Sequence, residues 1–342
     1  MKKILLVSAY SPNFTGGIGS WTNNYLQSNW AKNKQITFFN MFIPRDKKRN
    51  KLYCLFADYK KVLSISKILK KEKFDIVHIN FAGSKIGLIR DSMIAKRALS
   101  ANANTYMQCH CDANFFYSDK NSIKRLKKLY SKGCKFIVIN PQSKKYFLEA
   151  IQARPNDVFY ASNFTSSAKE TCIINKIVRR VLFVGHITKN KGVELIYSLA
   201  KKNREIEFVF AGPNLGDVND PGVENVIFLG ELSRNDVLKE MLSSDLLLLP
   251  SFSEGSPMVI LEAMSVGLPI IASDVGDIPF VLSDTMAGIF SKGSYVEFEK
   301  LFENYTEDYN LRCGASSSEL NRFNEYFETE KALSAFDSIY EK

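Results

Sequence analysis

Leu246-Leu247-Leu248-Leu249-Pro250-Ser251-Phe252-Ser253-Glu254-Gly255-Ser256-Pro257-Met258-Val259-Ile260-Leu261-Glu262-Ala263-Met264 holds a strand, a loop and the start of a helix in that order. Four consecutive leucines are apolar on both faces, the signature of a strand buried inside a parallel sheet. Ser256 can cap the helix and Pro257 fits its first position. Gly267, with Pro269 beyond it, ends the helix, and Pro269–Ala272 reads as the next buried strand. The helix then points free N–H groups and the positive end of its dipole at whatever lies beyond the strand, an arrangement suited to a phosphate or an oxyanion. Glu254 precedes that terminus and Glu262 lies over one turn inside it, so the two carboxylates can touch different parts of one extended ligand.

Upstream of this segment, Val181–Val184, Phe208–Ala211 and Val226–Leu229 read as further strands separated by helices. The first half alternates in the same way. Ile4–Ala9, Ile36–Met41, Ile76–Asn80, Thr105–Cys109 and Phe136–Ile139 read as strands, with helices over Trp21–Trp30, Tyr59–Lys73, Lys85–Ser100 and Ser122–Ser131. Such alternation predicts doubly wound parallel sheets. Asn163–Lys176 is rich in Ser, Thr, Asn and Lys and reads as a linker. The expected fold class is therefore α/β, with two Rossmann-like domains facing each other across a cleft: 1–163, then 164–320, with a C-terminal helix over 321–342 packing back toward the first domain. Ligands in such sheets bind beyond the carboxyl ends of the strands.

The chain has 342 residues and a formal charge of +10. Its basic residues cluster between Arg45 and Lys73 and again between Lys120 and Lys135, a layout that suits phosphates, nucleic acid or an anionic membrane. No nucleic-acid-binding signature accompanies them. The start, Met1-Lys2-Lys3-Ile4-Leu5-Leu6-Val7, is too short an apolar stretch for a signal peptide and reads as the first strand. No run approaches the ~18 apolar residues of a spanning helix. The six cysteines are scattered, and Cys109 with Cys111 alone makes a poor zinc site. Reduced thiols in a cytosolic chain are the expected reading.

Two more segments bear on chemistry. Val181-Leu182-Phe183-Val184-Gly185-His186 runs into Lys191-Gly192-Val193, and a lysine at that helix start can balance the charge of a diphosphate. Thr15-Gly16-Gly17-Ile18-Gly19-Ser20 follows the first strand, and glycines there let the backbone approach a phosphate. A dinucleotide fingerprint would need a glycine at Thr22 and an acid after Ile36–Phe39; both are missing, which argues against an NAD enzyme. No D-x-D triplet occurs anywhere in the chain.

In order and spacing, these segments resemble the family 4 glycosyltransferases of GT-B fold. The likeness runs from the Gly16–Gly17 pair through Asp75-Ile76-Val77-His78, Gly185 to Gly192, and Phe228-Leu229-Gly230. It continues through the E-x7-E of Glu254 and Glu262 to Gly276-Asp277-Ile278-Pro279. The resemblance implies a retaining, metal-independent transferase. It would move a hexose or N-acetylhexosamine from a nucleotide diphosphate sugar, a UDP-sugar first, to a glycan or lipid-linked acceptor. Glu254, His110 and Lys191 would be catalytic. Gly16, Gly17, His186, Lys191, Gly255, Ser256, Pro257, Met258, Val259 and Glu262 would hold the donor, with Glu262 on the ribose and Lys191 on the diphosphate. No metal and no cofactor are expected, and no nucleic acid. A role in surface polysaccharide synthesis (O-antigen or capsule) would place the chain in the cytoplasm at the inner face of the cell membrane, with the basic first domain in peripheral contact with anionic lipid. His78, inside a strand, is expected to be structural.

Two residues depart from the family pattern. His186 stands where the family has an arginine, and a neutral imidazole donates one hydrogen bond where a guanidinium offers a charged fork. Phe280 stands where the family commonly has a glutamate. Three alternatives stay open at this level: a GDP-mannose-type donor, a nucleotide-sugar epimerase or dehydrogenase, and a non-catalytic sugar-nucleotide-binding homologue.

Overall fold

The computed structural model of the chain describes residues 1–11, 17–43, 51–81, 83–113 and 117–341. It divides into two compact units, one of Met1–Asn163 with Ala332–Lys342, the other Phe164–Lys331.

The first unit is a parallel sheet of β1 (Lys3–Ser8), β2 (Gln35–Asn40), β3 (Ile76–Phe81), β4 (Asn104–Cys109), β5 (Lys135–Val138) and β6 (Val158–Tyr160), in the order β2-β1-β3-β4-β5-β6. Leu5, Val77, Met107 and Phe136 are buried without measurable exposure on one face of this sheet, while the other face of β3 and β4 buries the polar His78, Asn80 and Gln108. The short edge strand β6 and the helix Pro141–Glu149 carry little apolar periodicity and were not legible from the sequence. Helix Lys51–Lys71 starts well ahead of the expected Tyr59.

The second unit repeats the architecture with β7 (Arg180–Val184), β8 (Glu207–Ala211), β9 (Val226–Gly230), β10 (Leu246–Leu249), β11 (Ile270–Ser273) and β12 (Gly288–Phe290). Their order is β12-β11-β10-β7-β8-β9, and the pairings are parallel throughout. All four leucines of β10 are buried, each contributing about 1.5–3 kcal/mol of transfer free energy relative to exposure.

The C-terminal segment differs from the single helix expected over 321–342. Helix Tyr309–Arg322 ends in a π-turn, Phe323–Phe327, and a second helix, Thr329–Glu341, follows an extended Glu328. Two local devices make the break. Arg322 donates to the carbonyls of Val281 (2.7 Å) and Phe280 (2.8 Å), which pins the first helix. The Glu328 carboxylate accepts from the N–H groups of Glu330 (2.9 Å) and Lys331 (3.2 Å), which starts the second. Phe323 and Phe327 are buried in the core of the second unit. Within the first unit, Asp337 accepts from Trp30 Nε1 (3.0 Å) and Lys34 Nζ (2.6 Å), and the Tyr340 hydroxyl meets His78 Nδ1 at 2.5 Å. His78 thus ties β3 to the end of the chain.

Candidate functional site

The strand order of the second unit reverses between β7 and β10. Connections leaving the two strands at such a reversal go to opposite faces of the sheet, and a crevice opens beyond their carboxyl ends. The loop after β7 carries Gly185, His186 and Lys191; the loop after β10 carries Ser251, Glu254, Gly255, Ser256 and Pro257. Lys191 and Glu254 meet there. Lys191 Nζ donates to Glu254 Oε1 at 2.6 Å, and Ser251 Oγ donates to the same oxygen at 2.7 Å. The Glu254 side chain is only 8% exposed and that of Lys191 25%, so the pair is held firmly yet its cation can be reached.

Two glycines make this approach possible. Gly192 follows Lys191 in a left-handed conformation (φ 69°), and a Cβ there would stand 1.9 Å from the Pro250 carbonyl oxygen. Gly276, after β11, has φ 59°, and its Cβ would lie 2.4 Å from the Glu254 oxygen and 2.7 Å from that of Gly255. Only a residue without Cβ allows three loops to close on one another in this way. Main-chain bonds complete the join: Phe252 N donates to Asn190 O (2.8 Å) and Asp277 N to Gly255 O (2.9 Å). Ser273 Oγ donates to the Ser251 carbonyl at 2.5 Å.

Behind this loop the helix Met258–Val266 begins, with Pro257 (φ −72°, ψ 120°) as its cap residue. Ser256 is therefore not the N-cap and Pro257 not the first helical residue. The extended ψ of Pro257 holds it outside the helix, and its own side chain makes no cap hydrogen bond. Gly267 ends the helix at φ 67°, as its spacing implied. Met258 and Val259 are half-buried in the first turn. Glu262, on the same helix, is paired with Arg234, whose Nε donates to Oε1 at 3.2 Å. Arg234 also donates to Thr165 Oγ1. Burial pushes the Glu262 carboxyl above its ordinary value, and Arg234 opposes that shift. Arg234 escaped the sequence reading because a lone arginine at a helix start, Arg234–Leu242, has no motif around it.

The remaining candidates are placed as follows. His186 is exposed in the loop after β7, and Phe280 is 41% exposed on the short helix Ile278–Val281. Gly17 opens the helix Gly17–Gln27 in the first unit, with open space where its Cβ would be. Gly16 lies outside the described residues. His110 follows β4 in the first unit, its ring edge-on to Trp21 at 5.3 Å. Burial, then the nearby His78, push its imidazole down to about 3, so it is neutral at physiological pH. The structure thus gathers Lys191, Glu254, Gly255 and the start of the Met258–Val266 helix at one place, with Glu262 one turn behind. Gly17 and His110 belong to the other unit.

Residues 173–316 match the family model described as glycosyl transferases group 1, and the match contains the whole Lys191–Glu254–Glu262 constellation. Over that segment the chain is similar to the group 1 glycosyltransferases. Its two six-stranded parallel sheets with helices match the GT-B fold of solved structures such as sucrose-phosphate synthase. Among its relatives, an uncharacterised 41.2 kDa protein in the cps region of Klebsiella pneumoniae is 26% identical over 66% of this chain and 68% of its own length. The UDP-Gal:alpha-D-GlcNAc-diphosphoundecaprenol alpha-1,3-galactosyltransferase of Escherichia coli is 28% identical over 65% of this chain and 63% of its own. The solved structure of Anabaena HepE in complex with UDP-glucose superposes over 99% of both chains, with a TM-score of 0.76 at 15% identity. At that identity the likeness speaks for the fold alone.

Proposed function

We propose that the chain is a group 1 glycosyltransferase, retaining and metal-independent. It moves a hexose or N-acetylhexosamine from a UDP-sugar to a lipid-linked glycan acceptor in bacterial surface polysaccharide synthesis, at the inner face of the cell membrane. The carrying observation is the Lys191–Glu254 pair at the β7/β10 reversal, beside the start of the helix Met258–Val266. The UDP-Gal and lipid-diphosphate chemistry printed in the name of the E. coli relative supports the choice of donor and acceptor.

A diphosphate entering beyond β7 and β10 would meet the Lys191 ammonium and the first-turn N–H groups of the helix Met258–Val266, which have no partner within the helix. Both stabilise negative charge, and both are fixed before the ligand arrives. Charge on the diphosphate grows as the bond to the anomeric carbon breaks, so the same groups favour the transition state over the bound donor. Glu254 then has two functions. It orients Lys191, and its own charge lies near the sugar, where positive character develops at the anomeric carbon. With the acceptor hydroxyl attacking on the face from which the diphosphate leaves, the departing phosphate oxygen takes the hydroxyl proton and no separate protein base is required. The missing D-x-D triplet leaves this charge stabilisation to the protein.

A thermal-shift screen with UDP, GDP, ADP and their sugars tests the donor, because a ligand binding only the native state raises its stability. UDP and a UDP-hexose should give the largest shifts; a larger shift with GDP would sink the donor assignment. Transfer should persist in excess chelator and give a product with the donor's anomeric configuration. Strict manganese dependence or inversion would refute the mechanism. Lys191→Gln should lower kcat/KM by about thirtyfold, the ~2 kcal/mol of one charge-assisted hydrogen bond, through both kcat and KM.

A further inference from the structure

Helix Lys51–Lys71 leaves an unusual face in solvent. Its sequence, KLYCLFADYKKVLSISKILKK, has six lysines and one acid. Val62 and Ile65 are buried against the sheet. On the opposite side Tyr53, Phe56, Tyr59 and Leu63 are 50%, 57%, 50% and 39% exposed. At 3.6 residues per turn they fall in one stripe with Lys60, Lys67, Lys70 and Lys71. Lys60 Nζ lies 4.6 Å from the centroid of the Phe56 ring.

The acid does not share this face. Asp58 turns toward the neighbouring helix Lys85–Ser100, where Arg90 pairs with it at 3.2 Å. Lys61, on the inner side, is also engaged, donating to the carbonyls of Asn40 and Phe42 at 2.6 and 2.7 Å. The outward stripe is thus aromatic, aliphatic and cationic, with no carboxylate among its described residues.

Neighbouring helices extend it. From β2 the chain steps to β3, β4 and β5 in one direction across the sheet, so right-handed crossovers put helices Lys51–Lys71, Lys85–Ser100 and Lys120–Tyr130 on one face. The middle helix packs against both others and exposes Ile86 (59%) and Ile89 (45%). Partial burial, then the like charges of Lys128, Arg125 and Lys132, lower the pKa of Lys96 on it. Large apolar side chains in solvent beside clustered cations match the chemistry of a lipid headgroup region, where rings enter the acyl boundary and ammonium groups meet phosphates.

We propose that this helical face, centred on Tyr53, Phe56, Lys60, Leu63 and Lys67, is a docking surface for an anionic phospholipid bilayer. Membrane docking extends the reading of a lipid-linked acceptor, yet it stands or falls separately, because binding to vesicles is measured with no sugar nucleotide present.

The experiment is co-flotation of the full chain with phosphatidylcholine vesicles and with equimolar phosphatidylcholine–phosphatidylglycerol vesicles. The chain should float with the anionic vesicles and stay behind with the neutral ones. Lys60→Gln/Lys67→Gln should weaken partitioning by about 25-fold, at roughly fivefold per lysine. Phe56→Ser should weaken it while leaving its salt dependence intact. Lys169→Gln/Lys201→Gln, the same charge change on exposed lysines of the second unit, should leave it unchanged. Melting temperatures equal to wild type show that the exposed-site variants fold. Equal partitioning to both vesicle types would overturn the proposal, as would equal losses in the two lysine pairs or no loss with Phe56→Ser.

Discussion

Gly276→Ala places a methyl group in the tightest join of the site. Its Cβ would stand 2.4 Å from the Glu254 carbonyl oxygen, whereas ordinary contact begins at 3.4 Å, so the Glu254 loop must retreat by about 1 Å (3.4 − 2.4). Two costs add. Alanine at φ 59° costs about 1–2 kcal/mol of backbone strain, and displacing packed backbone costs about 1–3 kcal/mol more. A total near 3 kcal/mol corresponds to a fall in Tm of about 6–12 °C for a domain of this size. The functional loss should be larger than the stability loss suggests, because a ~1 Å misplacement of a charge-stabilising group costs on the order of 100-fold in turnover. The control is Gly222→Ala: φ is 65°, but nothing lies within 4 Å of the added carbon, so it carries the backbone cost alone. Scanning fluorimetry gives the two Tm values and titration calorimetry the affinity for UDP. Gly276→Ala should melt lower than the control and bind UDP more weakly. If the two variants melt together, or if Gly276→Ala binds UDP like wild type, the loop join does not build the site.

Two further outcomes follow from buried charge. Arg234→Ala removes the cation that opposes the burial-driven rise in the Glu262 pKa, and should cost about 2 kcal/mol after allowing for the partial exposure of Arg234. A carboxyl whose folded pKa is raised loses stability as pH rises through that value, so the Tm gap to wild type should widen from pH 4.5 toward neutrality; a gap that ignores pH would refute the pairing. His78, fully buried, has its pKa pushed down from 6.5 to about 4 by burial. A base with a depressed folded pKa gives stability that is complete above pH 6.5 and is lost as pH falls toward 4, worth about 3 kcal/mol across that window. His78→Gln should flatten the acid limb of the Tm profile, and an unchanged limb would remove His78 from the account.

Much of the fold was legible because buried parallel strands need apolar residues on both faces. Leu246–Leu249 could be found at once for that reason, whereas Ile76–Asn80 was read as a strand although His78 and Asn80 share one of its faces. The edge strands Val158–Tyr160 and Gly288–Phe290 were not, since three residues at a sheet edge carry no periodic signal. The broken C-terminal helix was hidden for a related reason. Phe323 with Phe327, and Leu333 with Phe336, each keep helical spacing, so both halves read as helix; the break between them is made by the pinning of Arg322 and the cap from Glu328.

By itself the sequence determined the parallel architecture, the helix ending at Gly267, and a short set of charged residues in loops that follow strands. These are local properties, set by residues a few positions apart. Which charges meet was decided by the tertiary structure. Lys191 and Glu254 are 63 residues apart, and they pair because the strand order places β10 beside β7 and two glycines let the loops close. Arg234 reaches Glu262 for the same kind of reason, through the packing of two helices. Spacing along a chain carries no information about such encounters, because their geometry belongs to the sheet.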